Sequence, residues 1–328
     1  MKFSIIIPMF NAASFVERVL MSVFEQDIDD TLIEILLIND GSPDNSEELA
    51  REISKARKNV KIFSQKNKGL GGARNTGIDH ALGEYIIFLD ADDYLEPNCL
   101  SIINEKISNP NFKNIDLFEL GCKSVSEDFT ILSEFIPKQP EKILTGIEYY
   151  LEMNSINSAC NKIYRRESLA NLRFKEKIYS EDSEFNTRTF FLFKSVCSLN
   201  LVLQSFVQTT GSITRNKNNR TKNKLIQDHL TVFKFTRYFE NEYSSKSYLE
   251  KKYFEKKYTL FTVNIFYLLL KYRMSISKAI EVKKILKSQN LLTLSYSKLE
   301  KKRDMFRKFL MYAFPFYLLI LGIRNKSI

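Results

Sequence analysis

Two carboxylates stand two positions apart directly after an apolar run of the sequence. The run 85–89 is followed by Asp90, Ala91, Asp92 and Asp93. Carboxylate oxygens are the ligands that Mg²⁺ and Mn²⁺ prefer, and a cation held in this way can bridge phosphate oxygens. A solvated acidic turn is the alternative interpretation of such a pair taken alone. The strand before the pair and the polar ends of the other predicted strands favour the metal site.

Polar or glycine-rich segments also follow the other predicted strands. Asn11, Asp40 and a glycine-rich turn predicted over 67–72 each come after a short apolar run. Helical patterns separate these runs, which indicates βαβ units and a parallel sheet covered on both faces. Ligands of open α/β sheets bind outside the carboxyl ends of the strands. The four strand ends therefore predict one crevice with a nucleotide-type site.

Five segments carry a resemblance to a known family. In chain order they are SIIIPMFN (4–11), INDGSPDNS (38–46), NKGLGGARNTG (67–77), FLDADDYLEP (88–97) and YSEDSEF (179–185). In this order and spacing they resemble the inverting glycosyltransferases of family 2. The resemblance covers residues 1–215. It implies an α/β fold of the GT-A (Rossmann-like) type, with a mixed, mainly parallel sheet flanked by helices. It also implies sugar transfer from a nucleoside diphosphate, most often UDP.

The resemblance assigns donor-side roles to single residues. Asp40 would accept the N3–H of uracil, and Phe10 would stack on the base where the family often has tyrosine. Pro8 and Asn11 would shape the same loop. Asp92 would ligate Mn²⁺ or Mg²⁺ at the diphosphate. The remaining residues implied on the nucleotide-sugar side are Lys68, Arg74 and Asn75 near the phosphates, Asp90 at the ribose or the metal, and Ala91.

An acidic pair supplies the expected catalytic group. Inverting transfer needs a general base that takes the proton from the attacking acceptor hydroxyl. The resemblance places Asp182 in this role, with Glu181 as the second choice. Acidic residues in the first turn of a helix, which the helix dipole favours, are the alternative interpretation. Asn161 and Lys162 resemble the family segment before this pair, so we expect them on the acceptor or phosphate side.

One departure from the family pattern concerns the strand before a G-S-I-T run. The run itself is present at 211–214, but 207–210 read V-Q-T-T where the family often has tyrosine and arginine. A phosphate or acceptor contact from that strand is therefore not predicted.

The charge distribution divides the chain into two parts. Residues 1–214 hold 23 Lys and Arg against 31 Asp and Glu, whereas residues 215–328 hold 26 against 8. We therefore predict a catalytic domain over 1–215 and a helical, basic region over 216–328. An anionic membrane surface or a nucleic acid could attract the basic part. No nucleic-acid-reading motif is recognisable in it, and the acidic part would repel a polyanion, so a membrane partner is predicted and no nucleic acid.

A short apolar segment lies near the end of the basic part. Residues 309–323 carry no charge and stand between Lys308 and Arg324, with Pro315 inside them. A bilayer span needs about 20 apolar residues. An interfacial helix on an anionic membrane is the favoured interpretation. A buried core or dimer contact and a true span are the alternatives. The second apolar run, 258–270, is predicted to be a core helix.

These observations bound the function and the location. Four dispersed cysteines and two histidines argue against a disulfide scaffold or a Cys/His zinc site. The start of the chain is typical of a strand and not of a signal peptide. We expect a cytoplasmic enzyme, peripheral on the inner face of the membrane, that extends a glycan or a polyprenyl-linked acceptor in cell-surface polysaccharide synthesis. A sugar nucleotidyltransferase and an inactive membrane-binding protein are the alternatives. The transferred sugar and the oligomeric state stay open.

Overall fold

The computed structural model describes residues 1–153, 155–209 and 218–326, with side chains up to residue 323. Two compact units divide the chain, Met1–Ser212 and Ile213–Ile328. The predicted domain boundary after residue 215 lies in the segment 210–217, outside the described residues, and stays a prediction. The G-S-I-T run at 211–214 also lies outside the described residues.

The first unit begins with alternating strands and helices. They are β1 (Phe3–Met9), α1 (Val16–Phe24), β2 (Ile33–Asn39), α2 (Ser46–Ile53), β3 (Val60–Ser64), α3 (Gly69–His80) and β4 (Tyr85–Phe88). The four strands pair in parallel in the order β3-β2-β1-β4. The βαβ pattern predicted from the apolar runs is confirmed.

The sheet continues with strands of both directions. The elements are β5 (Tyr94–Leu95), α4 (Cys99–Ile107), β6 (Leu117–Val125), β7 (Ile131–Phe135), α5 (Gly146–Glu152), β8 (Lys162–Arg165), α6 (Glu181–Leu192) and β9 (Val196–Val207). Strand β8 lies between β4 and β6 and is antiparallel to both, whereas β9 is parallel to β6. The order of the described strands is β3-β2-β1-β4-β8-β6-β9-β5, with β7 on β6. The mixed α/β sheet expected from the sequence is thus confirmed.

Burial explains the apolar character of the first strands. Every residue of β1 and β2 is buried, because helices cover the sheet on both sides. Helix α1 turns one stripe of side chains toward this core, at the spacing of a helix with one buried face: Val16, Val19, Leu20 and Val23. Phe10 and Asp40, which follow these two strands, therefore leave a fully buried part of the sheet.

The glycine-rich segment differs from its predicted form. The sequence indicated a turn over 67–72, yet helix α3 already begins at Gly69. The glycines inside the helix serve close packing: a Cβ on Gly71 would lie 2.5 Å from the carbonyl oxygen of Lys175, and one on Gly77 would collide with Ile6. Because glycine has no Cβ, α3 can lie directly on the strand and the loop beside it.

The second unit is helical within the part of the chain that the structure describes. Its helices are α7 (Asn219–Tyr243), α8 (Tyr248–Lys271), α9 (Ile276–Ser288), α10 (Lys301–Tyr312) and α11 (Phe314–Lys326). The side chains of Asn218, Ser247 and Ser275 each accept a backbone N–H at the start of α7, α8 and α9, which fixes where these helices begin. The run 258–270 lies in α8 and is largely buried, so the predicted core helix is confirmed.

The apolar segment 309–323 is divided between two helices. It includes the end of α10 and most of α11, and the two helices meet at an angle of 103°. Among the described residues, no single helix combines the length and the apolar character needed to cross a membrane; α10 and α11 meet that test only when taken together as a bent pair.

Candidate active site

The site lies at the carboxyl ends of β1, β2 and β4. The backbone N–H of Asp40 donates to the carbonyl of Met9 (2.9 Å), and that of Leu89 donates to the carbonyl of Ile6 (3.0 Å). These bonds hold the ends of the three strands beside one another. The residues that follow the strands, Phe10, Asp40 and Asp90, therefore leave the sheet at the same edge, as the sequence predicted.

Asp40 is held rigidly at this edge. One oxygen of its buried carboxylate accepts bonds from the Gln65 side-chain amide (2.7 Å) and from the backbone N–H of Lys68 (2.8 Å). The Lys68 side chain is exposed. On the neighbouring strand end, Phe10 is 49% exposed. A fixed acceptor next to an uncovered aromatic ring suits a flat heterocycle that offers an N–H at its edge.

A partly buried carboxylate braces the loop that carries Phe10 and Asn11. Asp44 accepts bonds from the hydroxyls of Ser42 and Ser46 and from the backbone N–H of Ala13 (2.9 Å). Burial opposes its charge, but these hydrogen bonds outweigh the burial and lower the pKa of Asp44 to about 2. The Ser42 hydroxyl also accepts the N–H of Asn11, whose φ is 51°.

Sequence reasoning missed this brace. Its signal was the turn composition of residues 41–46, in which the polar side chains bond to backbone and to one another.

Arg74 is the centre of the site. Its guanidinium is 1% exposed and contacts three carboxylates: Nη1 donates to Glu181 (3.0 Å) and Asp182 (2.7 Å), and Nη2 to Asp90 (2.8 Å). The Sγ of Cys160 lies 3.4 Å from Nη2. Burial disfavours the charge, but the carboxylates, Asp90 first, outweigh it and raise the pKa of Arg74 well above its usual value.

The two acidic residues of the predicted catalytic pair differ in access. Glu181 and Asp182 begin α6, and their side chains are 9% and 19% exposed. The second oxygen of Asp182 accepts the backbone N–H of Ala159 (3.0 Å). Asp182 is therefore fixed at both oxygens and still reaches solvent, which is what a positioned proton acceptor requires.

Asp92 and Asp93 have separate environments. Asp93 is buried and accepts the backbone N–H of Val207 (2.8 Å), so that it ties the strand end to β9. Asp92 is partly exposed, and the Arg18 guanidinium donates to its backbone carbonyl. Burial, with the nearby Asp90 charge, raises the pKa of the Asp92 carboxyl to about 6.

Comparison with protein-family models gives a match to "Glycosyl transferase family 2" over residues 4–173, which is more than half of the chain. The chain belongs to glycosyltransferase family 2. The matched range includes the ends of β1, β2 and β4 and the segment up to residue 173, but not the Glu181–Asp182 pair.

Relatives of this glycosyltransferase are found in several bacteria. It is 34% identical to the uncharacterized glycosyltransferase EpsJ of Bacillus subtilis over 222 residues, which are 64% of this chain and 62% of that protein. It is 26% identical over 201 residues to a GalNAc(5)-diNAcBac-PP-undecaprenol beta-1,3-glucosyltransferase of Campylobacter jejuni, with 59% of this chain and 63% of the relative covered. The chain thus spans less than two thirds of either relative.

Solved structures share the fold of the glycosyltransferase. TarS of S. aureus, crystallised with UDP-GlcNAc, superposes with a TM-score of 0.56 at 17% identity, covering 92% of this chain and 95% of that one. The mannosyltransferase PcManGT of Pyrobaculum calidifontis, solved with GDP-Man and Mn2+, gives a TM-score of 0.56 at 15% identity, covering 99% and 86%. The GT-A-like fold expected from the sequence is confirmed.

Several residues predicted on the substrate side are instead internal. Asn75 donates to the carbonyl of Phe174 (2.9 Å) and accepts its N–H (2.7 Å), so its amide holds a loop against α3. Arg74 faces the carboxylates and not an open phosphate pocket. Both side chains contact protein groups because α3 turns this part of the motif inward, and their predicted place near the phosphates stays a prediction.

Asn161 and Lys162 are also buried. The Lys162 ammonium lies 3.0 Å from Glu119 and donates to the backbone carbonyls of Ile156 (3.0 Å) and Ser158 (2.6 Å). Asn161 donates to the carbonyl of Leu120 (2.8 Å) and accepts from Lys162 (2.9 Å). Both are 0% exposed. In the structure they brace the loop whose Ala159 N–H holds Asp182, and their predicted place on the acceptor or phosphate side stays a prediction.

Asp90 and Asp92 offer the carboxylate oxygens that a hard divalent cation prefers, but they are only two ligands. Among the described residues, no three Asp, Glu, His or Cys side chains are grouped so that they alone could hold a metal ion. Mg²⁺ and similar cations are commonly held by one or two carboxylates together with substrate phosphates. Asp90 already commits one oxygen to Arg74, so Asp92 is the better placed ligand.

Burial of Glu181 gives an expected pH dependence of stability. Burial, and then the adjacent Asp182 charge, raise the pKa of Glu181 from 4.5 to about 7. Between these two values the folded chain binds the proton that the unfolded chain has released, so the free energy of unfolding falls as pH rises. In Glu181→Gln this fall should be smaller. Urea unfolding across the window measures it, with the exposed Glu48→Gln as control; equal slopes in the two variants would contradict the assignment.

Proposed function

We propose that the chain transfers a sugar from a nucleoside diphosphate to an acceptor hydroxyl with inversion at the anomeric carbon, and that the nucleoside diphosphate is UDP. One observation carries the proposal. A single buried guanidinium, Arg74, joins Asp90 of the donor-side strand end to Asp182 of the acidic pair, at 2.8 and 2.7 Å. Arg74 thus ties the strand end at which a cation would bind to the side chain that would accept the proton, which supports a displacement at a single carbon.

The nucleobase would be held between Phe10 and Asp40. The exposed ring of Phe10 offers a stacking face, and Asp40, fixed by Gln65 and Lys68, offers an acceptor for the N3–H of uracil. TarS, which has the same fold, was crystallised with UDP-GlcNAc. These observations support a UDP-sugar as donor and leave the sugar itself unassigned.

In the chemical step, Asp182 would take the proton of the acceptor hydroxyl. The acceptor oxygen forms a bond to the anomeric carbon, and the bond from that carbon to the diphosphate breaks with its electron pair on the leaving oxygen. The bonds to Arg74 and to the Ala159 N–H orient the Asp182 carboxylate before the reaction, so little reorganisation is needed. Mn²⁺ or Mg²⁺ held by Asp92, with Asp90 beside it, would supply neutralisation of the leaving diphosphate charge.

The acceptor would be a glycan or a polyprenyl-linked saccharide at the inner face of the cytoplasmic membrane, in cell-surface polysaccharide synthesis. The name of the Campylobacter relative specifies an undecaprenol-linked acceptor. The basic balance of residues 215–328, 26 Lys and Arg against 8 Asp and Glu, suits an anionic lipid surface.

Product analysis on a panel of nucleotide sugars tests this function. With Mn²⁺ present, the chain should release a nucleoside diphosphate; release of pyrophosphate would indicate a nucleotidyltransferase instead. Asp92→Asn should lower this release about a hundredfold or more, because charge stabilisation of the leaving group is lost. The exposed Asp27→Asn serves as matched control. Undiminished release by Asp92→Asn would remove Asp92 from the donor site.

A further inference from the structure

Helix α11 is apolar on two opposite faces. On one face Tyr317 and Leu321 are fully buried, and the Tyr317 hydroxyl donates to the carbonyl of Phe266 in α8 (2.9 Å). The rings of Phe314 and Tyr317 also pack on Phe266, at centroid distances of 5.5 Å. This face anchors α11 to the rest of the helical unit.

The other face turns apolar side chains to solvent. Phe316, Leu319, Ile320 and Ile323 are 65%, 58%, 41% and 58% exposed. Their spacing places them on one stripe of the helix. Met311 and Tyr312, at the end of α10, are 39% and 80% exposed just before it. A contiguous apolar surface of this kind marks an interaction site, because exposing it to water is unfavourable.

The charges around this stripe indicate what covers it. Residues 271–308 hold 12 Lys and Arg against 3 Asp and Glu. The side chains of Lys301, Lys302 and Lys308 on α10, and of Lys284 and Lys287 on α9, are exposed. A second copy of the chain would bring like charges together, whereas anionic lipid headgroups complement them and acyl chains receive the apolar stripe.

We propose that the stripe of Phe316, Leu319, Ile320 and Ile323 inserts into the interfacial region of an anionic bilayer, with α11 lying along the surface. Only one face of α11 turns exposed side chains to solvent, since Tyr317 and Leu321 are packed within the unit. The inference deepens the proposed function, on which it rests for the lipid-linked acceptor, by naming the residues that bring the enzyme to that acceptor.

Vesicle co-sedimentation of the 328-residue chain tests the proposal. Vesicles of equal parts phosphatidylglycerol and phosphatidylcholine should bind the chain at low salt and bind it more weakly at high salt. Vesicles of phosphatidylcholine alone should bind it weakly at either ionic strength. The double variant Phe316→Ser/Leu319→Ser should lose at least about tenfold in partitioning. Lys301→Glu/Lys302→Glu should lose binding chiefly at low salt.

Matched controls come from the first unit. Ile131→Ser/Leu132→Ser removes equally exposed apolar side chains (59% and 58%), and Lys55→Glu/Lys58→Glu removes exposed charges; both should bind as the parent does. Unchanged binding by Phe316→Ser/Leu319→Ser would overturn the proposal. A dimer seen by light scattering that becomes a monomer in this variant would also overturn the proposal, since a second copy of the chain would then cover the stripe. Nucleoside diphosphate release without vesicles, measured in parallel, separates failure of the proposed function from failure of membrane binding.

Discussion

Asp182→Asn should lower sugar transfer by about a hundred- to ten-thousandfold while the fold stays intact. Asparagine has the size of aspartate, and its one oxygen can still accept the bond from Arg74, whereas its NH2 group cannot accept the Ala159 N–H. The loss of that single hydrogen bond should leave the fold intact. Asparagine cannot take a proton from the acceptor hydroxyl. The rate of product formation with a glycan acceptor at saturating donor measures the loss of transfer. Thermal unfolding checks that the fold is intact.

Glu181→Gln is the matched comparison for Asp182→Asn. Glu181 is adjacent, contacts the same guanidinium and is less exposed, so its replacement should reduce transfer far less. If Asp182→Asn retains full transfer, Asp182 is not the base. If Glu181→Gln is instead the inactive variant, the base is Glu181.

Arg74→Met should destabilise the chain and abolish efficient transfer together. Removing a buried cation leaves Asp90, Glu181 and Asp182 close to one another without their counter-charge. Breaking a buried ion pair by deleting one partner costs about 3–5 kcal/mol. Urea unfolding measures the loss of stability, and the transfer assay measures the loss of orientation at Asp182.

Arg51→Met provides the control for Arg74→Met. Arg51 is largely exposed and pairs with Glu47 one helical turn away, so its removal should change the free energy of unfolding by about 0.5 kcal/mol or less. Arg74→Lys keeps the charge but cannot hold carboxylates through two nitrogens, so it should fold better than Arg74→Met. It should still lose transfer by on the order of a hundredfold. Full transfer by Arg74→Lys would mean that charge alone is needed.

The sequence by itself determined the sheet edge and the acidic residues there. Apolar runs separated by helical patterns predicted β1 to β4, and the residues that follow β1, β2 and β4 do meet at one edge. This part was accessible because parallel strands of one sheet have their carboxyl ends together, whatever the details of packing. The apolar run 258–270 was likewise predicted as a core helix and is one.

The direction in which the motif side chains point could be decided only by the tertiary structure. Arg74 was expected at phosphates, but it contacts Asp182, which is 108 positions away in the chain. Asn161 and Lys162 were expected at the acceptor, but they are fully buried beside Glu119. Motif spacing fixes which residues are near the site. Whether a polar side chain faces ligand or protein depends on partners that are distant in sequence. An unpaired buried charge is costly, so a charged side chain inside the fold turns toward an opposite charge, and only the tertiary structure shows where that charge lies.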